Sequence, residues 1–442
     1  MSTSDLPHAP EWSDRGPWGA PAPASLPKLP PLKAQTPQAE EASRIEFTES
    51  SSAFLGLVIR GAWLQLFTFG FYRFWLTTDI RRHFWSRTIV DGDGAEYTGT
   101  ARELLFGFLF AMAVLTPVYL LYFLVGIEAE RYKAFASVPL FLFLILFGQF
   151  ALYRARRYRL SRTIWRGLRF WMSGSGWNYA FRSFGWLMLA VATLGLLHPW
   201  RLAALERYKL RHTFYGDVQG SFDARAWDLF KRGVWLWLIA LIPAFSILAA
   251  FVQIGLAMQK GVNSGVAMAN AMPGAMLTLL IVPVLWPFYQ AIEWRWWASG
   301  VNLGGARLRS TVRGGQLFGL YVKFLLAAML FSIVAGIVLS VAGAVLYVIA
   351  HSLLGIDVGK AVEATASSYP YAGIAVVFFV YLAMALAYGV VQSYFLQYWF
   401  WDIICDSMSV ENVHALDGAR NDGKLAGSLG EGLADGLDVG GF

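Results

Sequence analysis

The stretch RTIVDGDGAEYTGTARELLF, residues 87–106, sets the reading of the whole chain. It follows a basic run containing Arg81, Arg82 and Arg87, carries a Gly-rich turn at DGDG, and leads directly into an apolar segment. Thr88 to Thr98 alternates beside that turn, a pattern that predicts a small hairpin. Similar wording returns between long apolar stretches. When Thr88, Thr163 and Thr213 are aligned, Glu103, Asn178 and Asp228 stand 15 residues later, opening ELLF, NYAF and DLFK. The same offset from Val301 reaches Gln316 and QLFG, a weaker copy that lacks the hydroxyl. A second phrase, TFGFYRFW at 68–75, is echoed by TLGLLHPW at 193–200, and each precedes a basic junction. The chain thus reads as a duplicated unit.

Composition identifies the surroundings of those units. The chain is 57% hydrophobic and 15% charged, whereas a soluble domain carries roughly 25% charged residues. Its apolar runs reach the length of about 20 residues that crosses a bilayer. Net charge is +7, and the arginines sit in the gaps between apolar runs. The positive-inside effect accounts for that placement better than a nucleic-acid partner does, and none is expected. The mixed Trp and charge of EWRWWASG at 293–300 likewise reads as an aromatic belt. One cysteine, Cys405, permits no intrachain disulfide and no CxxC pair.

Three regions follow. Residues 1–50 are rich in Pro, Ala and Ser and predict a disordered tail; they do not resemble a cleaved secretory signal. Residues 51–410 form the repeated transmembrane domain. Residues 411–442 predict a flexible Gly-rich tail. The expected fold class is an all-α polytopic membrane protein with short repeated surface β-hairpin or loop junctions. It has either six full spans plus two re-entrant segments, around 54–76 and 178–200, or eight spans. Eight spans would place the arginine block at 154–169 on the disfavoured side. Re-entrant segments would keep every junction at the cytoplasmic face, and in either topology both chain ends fall on the same side, expected to be the cytoplasm.

Candidate functional residues are few. Arg60 lies inside an apolar stretch, where the bland reading is snorkelling or pairing, and the functional one is contact with an anion or lipid head group. Lys323, seven residues into its span, snorkels more easily still. Glu103, Asn178 and Asp228 occupy the repeat position that opens a helix. Capping is the expectation for Glu103 and Asp228, worth about 1 kcal/mol each, and a catalytic use is the minor alternative. His198 reads as an interface residue. The six histidines are scattered, with no HExxH, and DGDG is too short for an EF-hand loop. There is neither a GxxxxGK[ST] loop nor a GxSxG elbow. No cofactor, metal or catalytic constellation is legible.

The segment FLGLVIRGAWLQLFTFGFYRFWLTTDIRRHFW, residues 54–85, followed by TIVDGDGAEYTG, resembles the YjgN-like family of bacterial inner-membrane proteins. The matching positions are Thr68, Gly70, Tyr72 and Trp75, then Gly94, Tyr97 and Gly99. The match is most specific over 55–126 and weakens toward residue 410. The resemblance implies placement in the bacterial inner membrane and nominates no catalytic residue.

Two function classes fit these readings. One is transport or channel-like passage of a small solute or lipid. The other is a structural or interaction protein that organises membrane-protein partners. Membrane lipids are the expected surroundings in both. A continuous polar cavity through the spans would favour transport, and a packed bundle with a large apolar side groove would favour partner or lipid binding.

Overall fold

Four hairpins build the extramembrane half of the molecule. In the computed structural model, which describes residues 42–48, 50–128, 133–259, 264–353, 355 and 370–427, each repeated junction turns through two residues. Asp91-Gly92, Arg166-Gly167 and Gly304-Gly305 have both central residues at positive φ, the type I′ geometry that matches the twist of paired strands. In Gly216-Asp217 only the glycine, at φ 57°, is left-handed.

The strands are β1 (Ser43–Phe47), β2 (Thr88–Val90), β3 (Asp93–Gly94), β4 (Glu96–Tyr97), β5 (Thr163–Trp165), β6 (Leu168–Met172), β7 (Thr213–Tyr215), β8 (Val218–Phe222), β9 (Val301–Leu303), β10 (Ala306–Ser310) and β11 (Met408–Glu411). They form one antiparallel sheet in the order β3-β2-β1-β11-β10-β9-β8-β7-β6-β5-β4. Its two ends, β3 and β4, are separated in the chain by Ala95 alone, so the sheet curls into a nearly closed barrel.

This overturns the expected fold class. The junctions are not short separate surface hairpins or loops on an all-α protein. A lone hairpin leaves two rows of backbone donors and acceptors unpaired, and joining the hairpins into a nearly closed barrel pairs all but the outer edges of β3 and β4. Closure needs β1, which bridges β2 and β11 through Ile45↔Val90 and Ser43↔Val410. Both β1 and the end of β11 fall in stretches that the sequence assigned to tails. The C-terminal stretch also continues as ordered chain past β11 through a 3-10 turn at Val413–Leu416, while residues 1–41, 49 and 428–442 lie outside the described residues.

Inward positions of the strands are apolar, and many outward ones are charged, although the outward face also carries Ile89, Ile164 and the stacked pair Trp171 and Phe214. Arg44 and Glu46 flank Ile45, while Arg307 and Arg309 flank Leu308. A barrel facing lipid has the opposite pattern, so this one stands in water.

The helices all join the barrel at the end opposite the hairpin tips. They are α1 (Ser51–Phe67), α2 (Arg73–Arg87), α3 (Ala101–Glu128), α4 (Lys133–Ser161), α5 (Gly176–Ala192), α6 (His198–Arg211), α7 (Ala226–Gln259), α8 (Ser264–Gly300), α9 (Gly314–Val348), α10 (Pro370–Gln392) and α11 (Phe400–Ser407), with π-helical turns at Ile349–Leu353 and Ser393–Trp399. Six helical stretches are long and apolar enough to cross a membrane: Ala101–Leu124, Val138–Ser161, Ala226–Ala257, Met272–Gly300, Gly314–Ser352 and Ala375–Ser407.

The repeated residues have repeated local roles. The hydroxyls of Thr88, Thr163 and Thr213 each donate to the carbonyl four residues back, of Phe84, Arg159 and Lys209, where a helix hands over to a strand. In the second repeated phrase, Thr68 donates to Leu64 O at 2.7 Å and accepts from Tyr72 N–H at 3.0 Å; Thr193 does the same with Leu189 and Leu197. The next two residues, Phe69-Gly70 and Leu194-Gly195, are left-handed and turn the chain into the following helix. In the G…YxG phrase, a Cβ on Gly99 would fall 2.5 Å from the Tyr97 ring, so only glycine lets the tyrosine lie flat there.

Candidate functional site

Three cavities surround the lower ends of α4, α6 and α8, and charged side chains stand between them. The largest, about 1170 Å³, opens between α3 and α4 and reaches Leu187 of α5 and Arg201 of α6. Its wall is mostly apolar, with Leu115, Leu120, Phe123, Phe141 and Leu144 prominent. At 1.5 Å per residue, Met112, Gln149 and Arg201 lie roughly 15–18 Å from the barrel ends of their helices, and Phe123 and Phe141 about 30 Å. The polar groups Arg201 and Gln149 therefore sit at the barrel-proximal base, and the aromatic wall extends outward. Gln149 is held in place by the Ser183 hydroxyl, which donates to its Oε1 at 2.8 Å.

A second cavity, about 360 Å³, lies between α7, α8 and the start of α6, lined by His198, Pro199, Phe230, Trp237, Trp286 and Tyr289. The His198 and Tyr289 rings are 6.2 Å apart. Burial and the neighbouring Arg201 both depress the His198 pKa, so its imidazole is neutral at neutral pH. The third cavity, about 320 Å³, is the barrel lumen. Its membrane-side floor is made by Arg156 and Leu160 of α4, Leu210 of α6 and Trp297 of α8.

Glu206 is the centre of the charged group. Its side chain is buried; Lys209 Nζ pairs with Oε1, and Trp297 Nε1 donates to Oε2 at 3.2 Å. Burial alone would raise the carboxyl pKa, but Lys209 and Arg156 more than offset that and hold it below the usual carboxylate range. Glu293 of α8 lies within electrostatic reach of Glu206, Lys209 and Arg201. Among the described residues, the buried Nε atoms of Arg156 and Arg201 and the Tyr289 hydroxyl have no hydrogen-bond partner. A buried guanidinium nitrogen without a partner is costly, and two such nitrogens, on arginines that line two of the cavities, suit an anionic head group. No three His, Cys, Asp or Glu side chains among the described residues gather as a metal site requires.

The hairpin tips carry a separate cluster. Arg166 contacts three carboxylates, Asp91 Oδ2 at 2.6 Å, Asp93 Oδ2 at 2.6 Å and Asp417 Oδ1 at 3.1 Å. Burial works against its charge, but Asp93 and Asp91 raise its pKa above the usual value. Asp91 is in turn lowered, first by the Ser43 hydroxyl and then by Arg166. The chain after β11 lies across these tips: Val413 and Leu416 enter the lumen wall, and Arg420 N–H donates to Asp217 Oδ1 at 2.8 Å.

The five residues singled out in the sequence stand on five different helices. Arg60 is exposed on α1 and lines a cavity of about 260 Å³ with Tyr72 and Asp79. Glu103 forms a capping box with Thr100, accepting from its N–H at 3.3 Å, and also accepts from the Tyr158 hydroxyl and pairs with Arg162. Asn178 is exposed, and its N–H reaches the Ser175 cap at 3.5 Å. Asp228 is exposed on the first turn of α7, and Lys323 is exposed on α9. The buried group around Glu206 was missed because Arg156, Arg201 and Lys209 were absorbed into basic runs. One signal was available: Glu206 is the only acid in residues 201–216, three positions before Lys209.

A family model described as a bacterial protein of unknown function (DUF898) matches residues 42–435. No curated protein and no solved structure matches the chain.

Proposed function

Because the chain belongs to the DUF898 (YjgN-like) family and is a multi-pass bacterial membrane protein, we propose its function from geometry: it binds and moves an anionic lipid of the cytoplasm-facing leaflet. The observation that carries this reading is the 1170 Å³ cavity between α3 and α4, apolar along its length with Arg201 at its base. A polar conduit would suit a hydrated solute. An apolar side cavity open between spans suits acyl chains, and a guanidinium suits a phosphate head. The basic outer positions of the barrel, including Arg44, Arg307 and Arg309, support a cytoplasmic barrel with both chain ends on that side. Arg201 then lies near the depth of the inner head groups.

The test is lipid retention by protein purified from vesicles containing phosphatidylglycerol and phosphatidylcholine. The wild type should keep phosphatidylglycerol through detergent exchange, and Arg201→Gln should lower its affinity about tenfold, the size of one charge-assisted contact. Equal retention of phosphatidylcholine, or no change in the variant, rejects the reading. Movement is read separately, as an increase in transbilayer exchange of labelled phosphatidylglycerol in vesicles bearing the protein.

The partner-organising reading has one observation in its favour. The most apolar windows of Gly314–Ser352 and Ala375–Ser407 bury none of their residues within the protein. Site-specific crosslinking from Ile333 in native membranes separates a protein partner from lipid on that face.

A further inference from the structure

The barrel lumen is hollow, and its contents follow from its lining. Small closed barrels are usually filled by their own side chains, and larger ones enclose ligands. Here Ile45, Val90, Phe170, Leu303 and Leu308 line the central space yet are only half-buried. Inward side chains of a packed barrel would be fully buried. The space measures about 320 Å³, at the lower end of the roughly 300–1,000 Å³ range of ligand sites. It is well under a third of the side cavity between α3 and α4, too small for a two-chain lipid and of a size for one chain. The wall is almost wholly apolar, with one cation, Arg156, at the membrane-side floor. The Arg156 Nε is buried and has no hydrogen-bond partner among the described residues, and its charge is near enough to Glu206 to help hold that carboxyl ionised. Glu206, which feels the Arg156 charge, takes its direct contacts from Lys209 and Trp297. At the far end, Val413 and Leu416 close the lumen.

We propose that the lumen binds a single acyl chain through its monoanionic head group, with the head on Arg156 and the chain running toward Val413. This deepens the lipid reading by giving a one-chain amphiphile its own water-surrounded chamber, and it borrows from that reading only the cytoplasmic placement of the barrel. An apolar chain gains burial along the lumen wall, and the head group supplies the charge-assisted hydrogen bonds that Arg156 lacks.

The test uses full-length protein in lipid nanodiscs with three photoreactive probes: a long-chain fatty acid, its methyl ester, and lysophosphatidylglycerol. Crosslinked peptides are mapped by mass spectrometry. Labelling within 301–310 and 408–416 by the fatty acid supports the proposal with a free acid as ligand. Labelling there by the lysolipid supports it with a lipid source. Arg156→Gln should reduce lumen labelling at least tenfold, and Arg156→Lys should recover part of it. Ala306→Phe, which fills the lumen, should abolish labelling while leaving Arg201-dependent phosphatidylglycerol retention intact, which shows the variant is folded. Labelling confined to the spans, equal labelling by the methyl ester, or no loss in Arg156→Gln overturns the proposal. Lumen labelling that survives Arg201→Gln stands even where the side-cavity reading fails.

Discussion

Glu206 shows how one residue ties the membrane half to the barrel. It is a buried carboxylate on α6, paired with Lys209 and bonded by a tryptophan from α8. A carboxyl held below its usual pKa stabilises the fold above the ordinary carboxylate range. That contribution fades as pH falls through the lowered native value. Glu206→Gln should therefore destabilise the protein by about 3 kcal/mol at neutral pH, because Lys209, partly buried, is left without its carboxylate. The variant should also lose part of the acid-side decline in stability that the wild type shows. Thermal melts from pH 3 to pH 8 read both effects; parallel curves for the two proteins would assign the pair no such role. Lys209→Met in the same background should recover part of the loss, since the stranded charge is then gone.

Among the elements, the segment from 412 to 420 behaves as a cover on the hairpin tips. Asp417 reaches Arg166, Arg420 reaches Asp217, and Val413 and Leu416 plug into the apolar wall. Gly216 sits beneath it so closely that a Cβ there would lie 2.1 Å from the Arg420 carbonyl oxygen. The left-handed turn itself adds a penalty of roughly 1–2 kcal/mol to any β-carbon. Gly216→Ala should therefore lift the cover while the strands stay paired. Hydrogen exchange should speed up in 413–423 and change little in β7 and β8. Equal acceleration in both would show that the turn, not the cover, is what the glycine protects. The hairpin at DGDG was legible from residue types, because Asp-Gly at a two-residue turn has a local cause. Arg166-Gly167 was not, since arginine at positive φ follows from the tertiary clasp on Asp91, Asp93 and Asp417.

At the scale of the whole molecule, the barrel is closed by strands from its two extremes. Ile45 of β1 pairs with Val90, while its neighbour Arg44 pairs with Ser409 near the end of the chain. Proline within β1 removes a ladder donor in a strand paired on both sides. Ile45→Pro should open the barrel between β2 and β11, seen as a lower apparent Tm and new protease cleavage in 86–98 and 408–420. The six spans should stay protected by the bilayer in the same digest. Unchanged cleavage would mean that β1 is dispensable for closure.

The sequence by itself determined the membrane class, the repeated junctions, the turn at DGDG and the family. Each depends on local composition or spacing: apolar length, arginine position, Gly at a turn, a threonine followed 15 residues later by a helix-opening polar residue. Tertiary structure alone decided that the junctions join into one barrel, that its lumen stays hollow, and that Arg156, Arg201, Glu206 and Lys209 gather beneath it. Strand pairing across more than 300 residues leaves no periodic mark in the chain, and an arginine in a basic run looks the same whether it faces water or a buried cavity. Only the curling of the sheet, which pairs every strand edge except the outer ones of β3 and β4, separates those cases.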